Sequence, residues 1–300
     1  MSQCTQPNFT ISLYKFTAVE YNDKVIQKEL KGDFIMKKIW MMLITVMIST
    51  MVMTGCGSKD KVGIEGIRDR GKMIVGLDDS FPPMGFRDEN NEIVGFDIDL
   101  AREVANYIGV DVEFKPVVWE TIGMSLNNND IDMVWNGCTI TDARKKEMDF
   151  STPYLNNKQI LVVGPDSPIK NKSDLAGKIV ALQLGSSSQE ALEKDTQVME
   201  SLKEVRKFEN NVDALMDLKV GRVDAVIVDL VVGRYYISKH PEDYIVLDDS
   251  FQDEFYGIGM RKKDTTFITE VNNALKQLHE DGRAAEISEN WFGENVFVNE

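Results

Sequence analysis

The chain has 300 residues, of which 43% are hydrophobic and 28% are charged, and its formal net charge at pH 7 is −15. This composition is typical of a soluble globular protein and excludes a disordered or fibrous chain, while the length allows one large domain or two modest ones. The acidic balance argues against a general nucleic-acid binder, which would carry a basic surface.

A basic and then apolar stretch near the N-terminus predicts an export signal. Residues 36–38 (MKK) are basic, residues 39–53 form an apolar run, and residues 54–56 (TGC) end it on a cysteine. This order is typical of a secretory signal peptide. A single membrane-spanning helix is the alternative, but the run is shorter than the roughly 20 residues that cross a bilayer core.

Three N-terminal segments follow from this pattern. We expect a lipoprotein signal peptide over residues 36–55, lipid on Cys56 because the ending resembles a lipobox, and a polar tether over residues 56–66. Residues 1–35 show neither apolar periodicity nor signal character. We therefore expect translation to start at Met36 and residues 1–35 to be a mis-annotated extension.

Downstream of residue 72, apolar strand patterns alternate with helical ones, which predicts parallel α/β sheets. The predicted strands are residues 73–77, 112–114, 131–135, 178–182, 205–208, 225–228 and 256–260, and the predicted helices are residues 98–108, 121–127, 189–194, 212–220, 230–238, 265–280 and 284–291, with another starting at residue 142. Residues 129–136 and 221–229 each begin a strand with an aspartate and end it with a polar residue, which predicts two similar lobes. We place lobe 1 at residues 67–161 plus 252–300 and lobe 2 at residues 162–251.

Polar residues follow four of the predicted strands. Asp78 and the pair at residues 136–137 (NG) follow strands of lobe 1, whereas Gln183 and Asp229 follow strands of lobe 2. Ligands of open parallel sheets bind beyond the carboxyl ends of the strands. A cleft between the lobes would therefore bring all four positions together.

The residue types at these positions suit a zwitterion. Arg144 has the planar fork that matches a carboxylate, although it could instead pair locally with Glu147. Thr139 and Asp229 can accept from an ammonium group, although Asp229 could instead cap the following helix. Residues 186–188 (SSS) precede a helix whose free N–H groups favour an anion, and ordinary capping explains these serines equally well.

Two aromatic residues are candidate walls of the cleft. Phe81 lies in a proline-stiffened loop and Trp119 starts the helix after residues 114–118. Aromatic faces shield apolar parts of a ligand and attract cations, but core packing explains either ring alone as well. Asp78 could contact the ligand side chain or cap its own loop.

The cysteines leave no intramolecular disulfide in the mature chain. Cys4 lies in the extension and Cys56 is the predicted lipid site, so Cys138 remains alone. Cys138 alternates with its neighbours along an extended segment, and we expect it to face the core of lobe 1. His240 and His279 are poorly placed in the sequence to activate it as a nucleophile.

Taken together, these motifs resemble those of the amino-acid solute-binding proteins that feed ABC importers (extracellular solute-binding family 3). The resemblance covers nearly all of residues 72–293. The motifs that carry it are residues 95–100 (GFDIDL), 137–144 (GCTITDAR), 149–154 (DFSTPY), 174–178 (DLAGK), 185–187 (GSS), 221–225 (GRVDA) and 256–259 (YGIG).

The resemblance implies a type II periplasmic-binding-protein-like α/β fold, with two lobes joined by two hinge strands and a ligand cleft between them. It implies ligand contacts at Asp78, Phe81, Trp119, Gly137, Thr139, Arg144, Gln183, Ser187 and Asp229. It further implies a monomeric receptor without catalytic residues, metal or cofactor, held by lipid alone on the outer face of a Gram-positive cell membrane. Such a receptor would deliver a polar amino acid to the permease and ATPase of an ABC importer.

Two other functions remain open at this point. Cyclohexadienyl and arogenate dehydratases resemble these receptors and would need an acid or base such as Asp78, Asp79 or Glu120. A sensory lipoprotein that binds a solute on the same fold is the other. The ligand side chain is also open, because Asp78 with two aromatics suits a basic amino acid. Gln183, Asn136 and Val228 instead suit glutamine, cystine or another neutral polar ligand, which we favour slightly.

Overall fold

The computed structural model of the chain describes residues 63–298. The predictions for residues 1–35, for the signal peptide at 36–55 and for Cys56 lie outside this range. The first helix begins at Ile64, within the last residues of the predicted tether, because Ile64 and Ile67 are buried in the main hydrophobic core. Among the described residues, no helix is both long and apolar enough to cross a bilayer.

The first lobe is built on a five-stranded sheet with the order β5-β1-β6-β13-β7. Its strands are β1 (Lys72–Leu77), β5 (Asp111–Pro116), β6 (Met133–Val134), β7 (Met148–Phe150) and β13 (Gly259–Arg261). The strand β1 pairs in parallel with β5 and β6, whereas β13 runs antiparallel to its neighbours β6 and β7. Residues beyond the carboxyl ends of β1 and β6 therefore lie at one edge of this sheet.

The second lobe has its own five-stranded sheet with the order β10-β9-β11-β8-β12. Its strands are β8 (Leu155–Val163), β9 (Ile179–Gln183), β10 (Glu204–Phe208), β11 (Ala225–Asp229) and β12 (Ile245–Tyr256). The strands β9, β10 and β11 are parallel, while β8 and β12 run antiparallel to their neighbours.

The strands β8 and β12 are the two passages of the chain between the lobes. The strand β8 follows β7 of the first sheet, and β12 leads into β13 of the same sheet. They pair with each other from Leu155↔Tyr256 to Ile245↔Val163, with irregular register between Val246 and Gln252. The predicted fold class, two α/β lobes joined by two hinge strands, is confirmed.

Helices cover the sheets, and a small three-stranded sheet lies between β1 and the first long helix. The α-helices are α1 (Ile64–Arg70), α2 (Phe96–Ile108), α3 (Ile122–Asn127), α4 (Arg144–Glu147), α5 (Ser187–Lys194), α6 (Thr196–Ser201), α7 (Asn211–Lys219), α8 (Leu230–Lys239), α9 (Thr265–Glu280) and α10 (Arg283–Phe292). Short 3-10 turns are Trp119–Thr121 and Lys172–Leu175, and the small sheet contains β2 (Ser80–Phe81), β3 (Gly85–Arg87) and β4 (Ile93–Val94).

The helix α2 shows why these elements form where they do. It buries Leu100, Val104 and Ile108, which recur every four residues along one face. Gly109 ends it in the left-handed conformation, and its N–H donates to the carbonyls of the last turn. At the other end a Cβ on Gly95 would lie only 2.2 Å from the carbonyl oxygen of Met84, so glycine is required there.

Several predicted elements are shorter in the structure than in the sequence pattern. The predicted strand at residues 131–135 pairs only over Met133–Val134, and the helix predicted from residue 142 is the single turn Arg144–Glu147. After Val134 the chain leaves the sheet, and Oδ1 of Asn136 accepts from the Asp78 N–H at 3.2 Å. Cys138 is fully buried beside Trp119 and Val134, which confirms the prediction that it faces the core.

Candidate functional site

Gly137 sets the shape of the loop that follows β6. Its φ is +59°, and a Cβ would lie 2.9 Å from the Phe81 ring and 3.0 Å from the Tyr256 ring. Its N–H donates to Oδ2 of Asp97 at 2.7 Å, and the Tyr154 hydroxyl donates to the same oxygen at 2.8 Å. Only glycine lets this loop lie so close to both rings.

Asp97 is a buried anchor for that loop. Its carboxyl group is fully buried at the start of α2, and burial raises its pKa to about 7, although the hydrogen bonds from Gly137 and Tyr154 lower it in part. The carboxyl group holds the backbone N–H of Gly137 in place. This residue was not predicted as functional, and its contact indicates a positioning role.

Thr139 and Ser187 join the two lobes. The Thr139 hydroxyl lies 3.1 Å from the Ser187 hydroxyl at the start of α5, and 3.0 Å from Oε2 of Glu254 on β12. All three side chains are buried. Thr139 is supplied by the loop after β6 and Ser187 by the first turn of α5, which follows β9, as expected for groups near the carboxyl ends of strands.

Arg144 lies against Trp119. Its guanidinium carbon is 4.5 Å from the centre of the indole ring, and Nη1 donates to the Thr139 carbonyl at 3.1 Å. Within residues 63–298 no ion pair joins Arg144 to Glu147, so the alternative of a local pair is not what holds the guanidinium. Stacking on the ring fixes the plane of the guanidinium next to Thr139.

Asp229 ends β11 deep between the lobes. Its Oδ1 accepts from Nδ2 of Asn157 at 2.6 Å, Nε2 of Gln159 at 2.7 Å and the Tyr256 hydroxyl at 2.8 Å. Its side chain makes no capping hydrogen bond to α8, so the capping alternative is wrong. Burial raises the pKa of Asp229, and these three donors and the charge of Arg144 lower it in part.

Sequence reasoning missed the contribution of the hinge strands. Asn157 and Gln159 on β8, with Glu254 and Tyr256 on β12, all point inward and contact Asp229 or one another. Polar residues two apart in a strand face the same side, and here that side is buried. The alternation of these polar residues with exposed neighbours was the signal that could have identified them.

A second group of predicted residues lines a cavity of about 300 Å³ at the side of the cleft. Asp78 and Trp119 of the first lobe face Gln183 and Glu209 of the second across it. Oδ2 of Asp78 accepts from Nε2 of Gln183 at 2.6 Å, so this hydrogen bond also joins the lobes. Oδ1 of Asp78 accepts from the N–H and hydroxyl of Ser80, which stabilises the loop as well.

The nine predicted ligand contacts thus fall into distinct positions. Thr139, Ser187 and Asp229 belong to one hydrogen-bonded network, in which Nε2 of Gln159 donates to both Ser187 and Asp229. Asp78 and Gln183 line the side cavity. Arg144, stacked on Trp119, lies between these two regions. Phe81 is buried behind Gly137, and it is not among the residues that line the side cavity.

One exposed group among the described residues could offer metal ligands. His240, Glu242 and Asp243 have ligand atoms within 4.8 Å of one another in the loop after α8. The Asp243 carboxylate already accepts from Nζ of Lys219 at 2.6 Å. This group lies on the second lobe, outside the cleft residues described above.

Two α/β lobes joined by two long strands, with polar side chains of both lobes in contact between them, define a two-lobed solute-binding protein. The family model of the bacterial extracellular solute-binding proteins, family 3, matches residues 73–294, and the chain belongs to this family. The resemblance stated from the motifs is therefore confirmed.

Individual relatives agree with this assignment. The chain is 34% identical over 232 residues to the L-cystine-binding protein TcyJ of Escherichia coli (strain K12), an alignment that covers 77% of this chain and 86% of that protein. It is 33% identical over 276 residues to the ABC transporter glutamine-binding protein GlnH of Bacillus subtilis (strain 168), covering 87% and 99%. A histidine-bound ABC uptake transporter substrate-binding protein from Streptococcus pneumoniae matches with a TM-score of 0.76 and 34% identity, covering 78% of this chain and 97% of that one.

Proposed function

We propose that this protein is an extracytoplasmic receptor that binds a polar amino acid between its lobes and delivers it to the permease and ATPase of an ABC importer. The observation that carries the proposal is the meeting of Thr139 and Ser187, at 3.1 Å, beside the buried carboxylate of Asp229. The relatives described above, a cystine-binding protein, a glutamine-binding protein and a histidine-bound substrate-binding protein, support the ligand class.

The two ends of an amino acid have complementary groups here. The Arg144 guanidinium, stacked on Trp119, would hold the α-carboxylate together with the free N–H groups at the start of α5. Asp229 and the Thr139 hydroxyl would accept from the α-ammonium. Since Arg144 and Thr139 belong to one lobe while α5 and Asp229 belong to the other, the ligand would contact both lobes at once.

Binding would then favour the closed arrangement of the lobes. A ligand shifts a conformational equilibrium by its differential affinity for the two states, and contacts from both lobes exist only when the cleft is closed. The hydrogen bonds between Gln183 and Asp78 and between Thr139 and Ser187 would add to the closed state. The closed receptor would be the form that the permease recognises.

The side chain of the ligand would occupy the cavity beside Trp119. Asp78, Asp79 and Glu209 bring three carboxylates to its lining, and Gln183 adds an amide. These acceptors favour a side chain with N–H donors, which includes amides and cations. We retain a polar amino acid as the proposed ligand class, with no chemical conversion of the ligand.

Titration of Arg144→Ala with a panel of common amino acids tests the proposal. We expect the parent to bind at least one polar amino acid and the variant to lose roughly 30-fold to 1,000-fold in affinity, because a charged, partly buried hydrogen-bond partner of the ligand is removed. Arg222→Ala is the matched control, since the Arg222 side chain is 69% exposed and pairs with Asp217 on the surface. Parent-like affinity of Arg144→Ala would exclude the carboxylate contact.

The same experiment separates binding from catalysis. A receptor returns its ligand unchanged after incubation, as measured by mass spectrometry. Conversion of prephenate or arogenate by the purified protein would instead support the dehydratase alternative. We further propose that the mature chain is a monomer attached by lipid on Cys56 to the outer face of a Gram-positive membrane, which fractionation and mass measurements test.

A further inference from the structure

Two buried carboxylates lie in one hydrogen-bonded network at the hinge strands. Asp229 on β11 is 3% exposed and Glu254 on β12 is 4% exposed. Nε2 of Gln159 donates to Oδ1 of Asp229 at 2.7 Å and to Oε2 of Glu254 at 2.9 Å. Nδ2 of Asn157 also lies within reach of both, at 2.6 Å and 3.3 Å. Two ionised carboxylates sharing such a site repel each other.

The surroundings provide little positive charge for this pair. The Arg144 guanidinium, from the first lobe, lowers the pKa of Asp229 in part. The other facing titratable group, Tyr256, has a pKa well above its ordinary value because of burial and the charge of Asp229, so its phenol stays protonated. Burial, and then the charge of Asp229, raises the pKa of Glu254 to about 7. Glu254 therefore exchanges between its protonated and ionised forms near neutral pH, and below about pH 7 most molecules hold a proton on the pair.

An unpaired acceptor oxygen in this network indicates that a ligand with several N–H donors could bind there. Oδ1 of Asn157, on a side chain that is 3% exposed, has no hydrogen-bond partner within the described part of the chain. It belongs to the same carboxamide whose nitrogen contacts Asp229 and Glu254. Carboxylate and amide oxygens both require donors, and an ammonium group has three N–H donors and no acceptor. The Thr139 hydroxyl of the first lobe lies 3.0 Å from Oε2 of Glu254, so the first lobe also contacts this network.

We propose that Glu254 is a second carboxylate acceptor for the ligand's ammonium group, and that the Asp229–Glu254 pair releases one proton to solvent when that group binds. This inference rests on the proposed amino-acid site. The ligand arrives as an ammonium ion, its N–H groups form hydrogen bonds to both ionised carboxylates, and the O–H bond of the protonated carboxyl breaks. The released proton passes to the buffer, so charge and protons balance.

The proposal predicts a specific pH dependence of affinity. Below the pH at which the pair ionises fully, each ligand bound displaces about one proton, so affinity should rise about 10-fold between about pH 6 and pH 8. Calorimetric titration of the mature protein with its tightest-binding amino acid, in buffers of different ionisation enthalpy, measures the protons released directly. We expect about one proton per ligand at about pH 6 and about one tenth of that at about pH 8.

The variant Glu254→Gln keeps an acceptor oxygen but removes the shared proton. We expect it to release fewer protons per ligand at about pH 6 than the parent does, and its affinity should depend less on pH over this range. Glu113→Gln is the control, because Glu113 is an exposed carboxylate paired with Lys72, and it should behave as the parent does.

Each result decides between distinct conclusions. Binding without proton release by the parent overturns the inference while leaving the receptor proposal intact, and this measurement needs no variant to fold. Parent-like proton release by a folded Glu254→Gln variant overturns the role of Glu254. Failure of the parent to bind any amino acid instead overturns the proposed function on which the inference rests.

Discussion

The substitution Asp97→Asn should make the protein more stable at alkaline pH relative to the parent. Burial raises the pKa of Asp97 from its ordinary value of 3.8 to about 7, so the folded chain holds the proton more tightly than the unfolded chain. The stabilisation from this linkage is complete below about pH 3.8 and is lost as the pH rises through about 7. Asparagine stays neutral throughout and still offers an oxygen to Gly137 and Tyr154.

The size of the effect follows from the two pKa values. A difference between 3.8 and about 7 corresponds to roughly 4 kcal/mol when integrated over the whole range, and roughly 2–3 kcal/mol of this falls between about pH 5 and pH 8. The free energy of unfolding of Asp97→Asn minus that of the parent should therefore rise by that amount over this interval. Contributions from other buried acids, such as Glu254, occur in both proteins and cancel in the difference.

Chemical denaturation of both proteins at a series of pH values measures this difference. Asp142→Asn is the control, because the Asp142 side chain is 92% exposed and its substitution should leave the pH profile unchanged. A difference between Asp97→Asn and the parent that stays flat from about pH 5 to pH 8 would show that Asp97 is ionised throughout. The reasoning from its burial would then be refuted.

Three further substitutions test the fold and the attachment. Gly137→Ala should lower the free energy of unfolding by about 2–3 kcal/mol in chemical denaturation, because its Cβ would press on two rings. Gly221→Ala should lower it by only about 1 kcal/mol, because Gly221 has a similar φ of +71° but no atom of the described residues lies near its Cβ position. Equal losses for the two variants would contradict this. Phe267→Ala should lower the free energy of unfolding by about 3–5 kcal/mol, because Phe267 is fully buried. Phe255→Ala is the control and should lower it by under about 1 kcal/mol, because Phe255 is 46% exposed. A small loss for Phe267→Ala would contradict the packing of α9. Cys56→Ala should move the protein from the membrane to the soluble fraction of cells, and unchanged membrane retention would contradict lipidation at that residue.

Periodic elements were predictable from the sequence because their spacing is local. The helix at residues 265–280 coincides with Thr265–Glu280, and the strands before Asp78 and Asp229 were placed within a residue or two. Their apolar faces are buried, so the pattern of hydrophobic residues records the packing directly. The short strands Ser80–Phe81 and Ile93–Val94 were not predicted, since two residues carry no measurable period.

Four residues of the hydrogen-bonded group around Asp229, namely Asn157, Gln159, Glu254 and Tyr256, could not be predicted in the same way. The residues after the parallel strands were accessible to reasoning because the end of a strand is visible in the sequence. Asn157 and Glu254 lie inside the long strands β8 and β12 and are 97 residues apart in sequence. Only the pairing of these two strands brings the two residues together. Polar residues within a strand usually face solvent, whereas these two contact each other and residues distant in the chain, Asp229 for Asn157 and Thr139 for Glu254.

The position of Glu254 gives the hinge a direct connection to the ligand. The strands β8 and β12 join the lobes, and the inward residues of both contact Asp229, so the proposed ammonium site is built partly on the element whose bending would open the cleft. Removal of Arg144 should weaken binding at every pH from about 6 to 8, and because its charge lowers the pKa of Asp229, its loss should also move the pH dependence towards higher pH. Loss of the carboxylate at Glu254 should instead weaken the pH dependence and reduce the proton release. A loss of affinity at every pH marks the contact to the ligand carboxylate, whereas a loss of proton release marks the contact to its ammonium group.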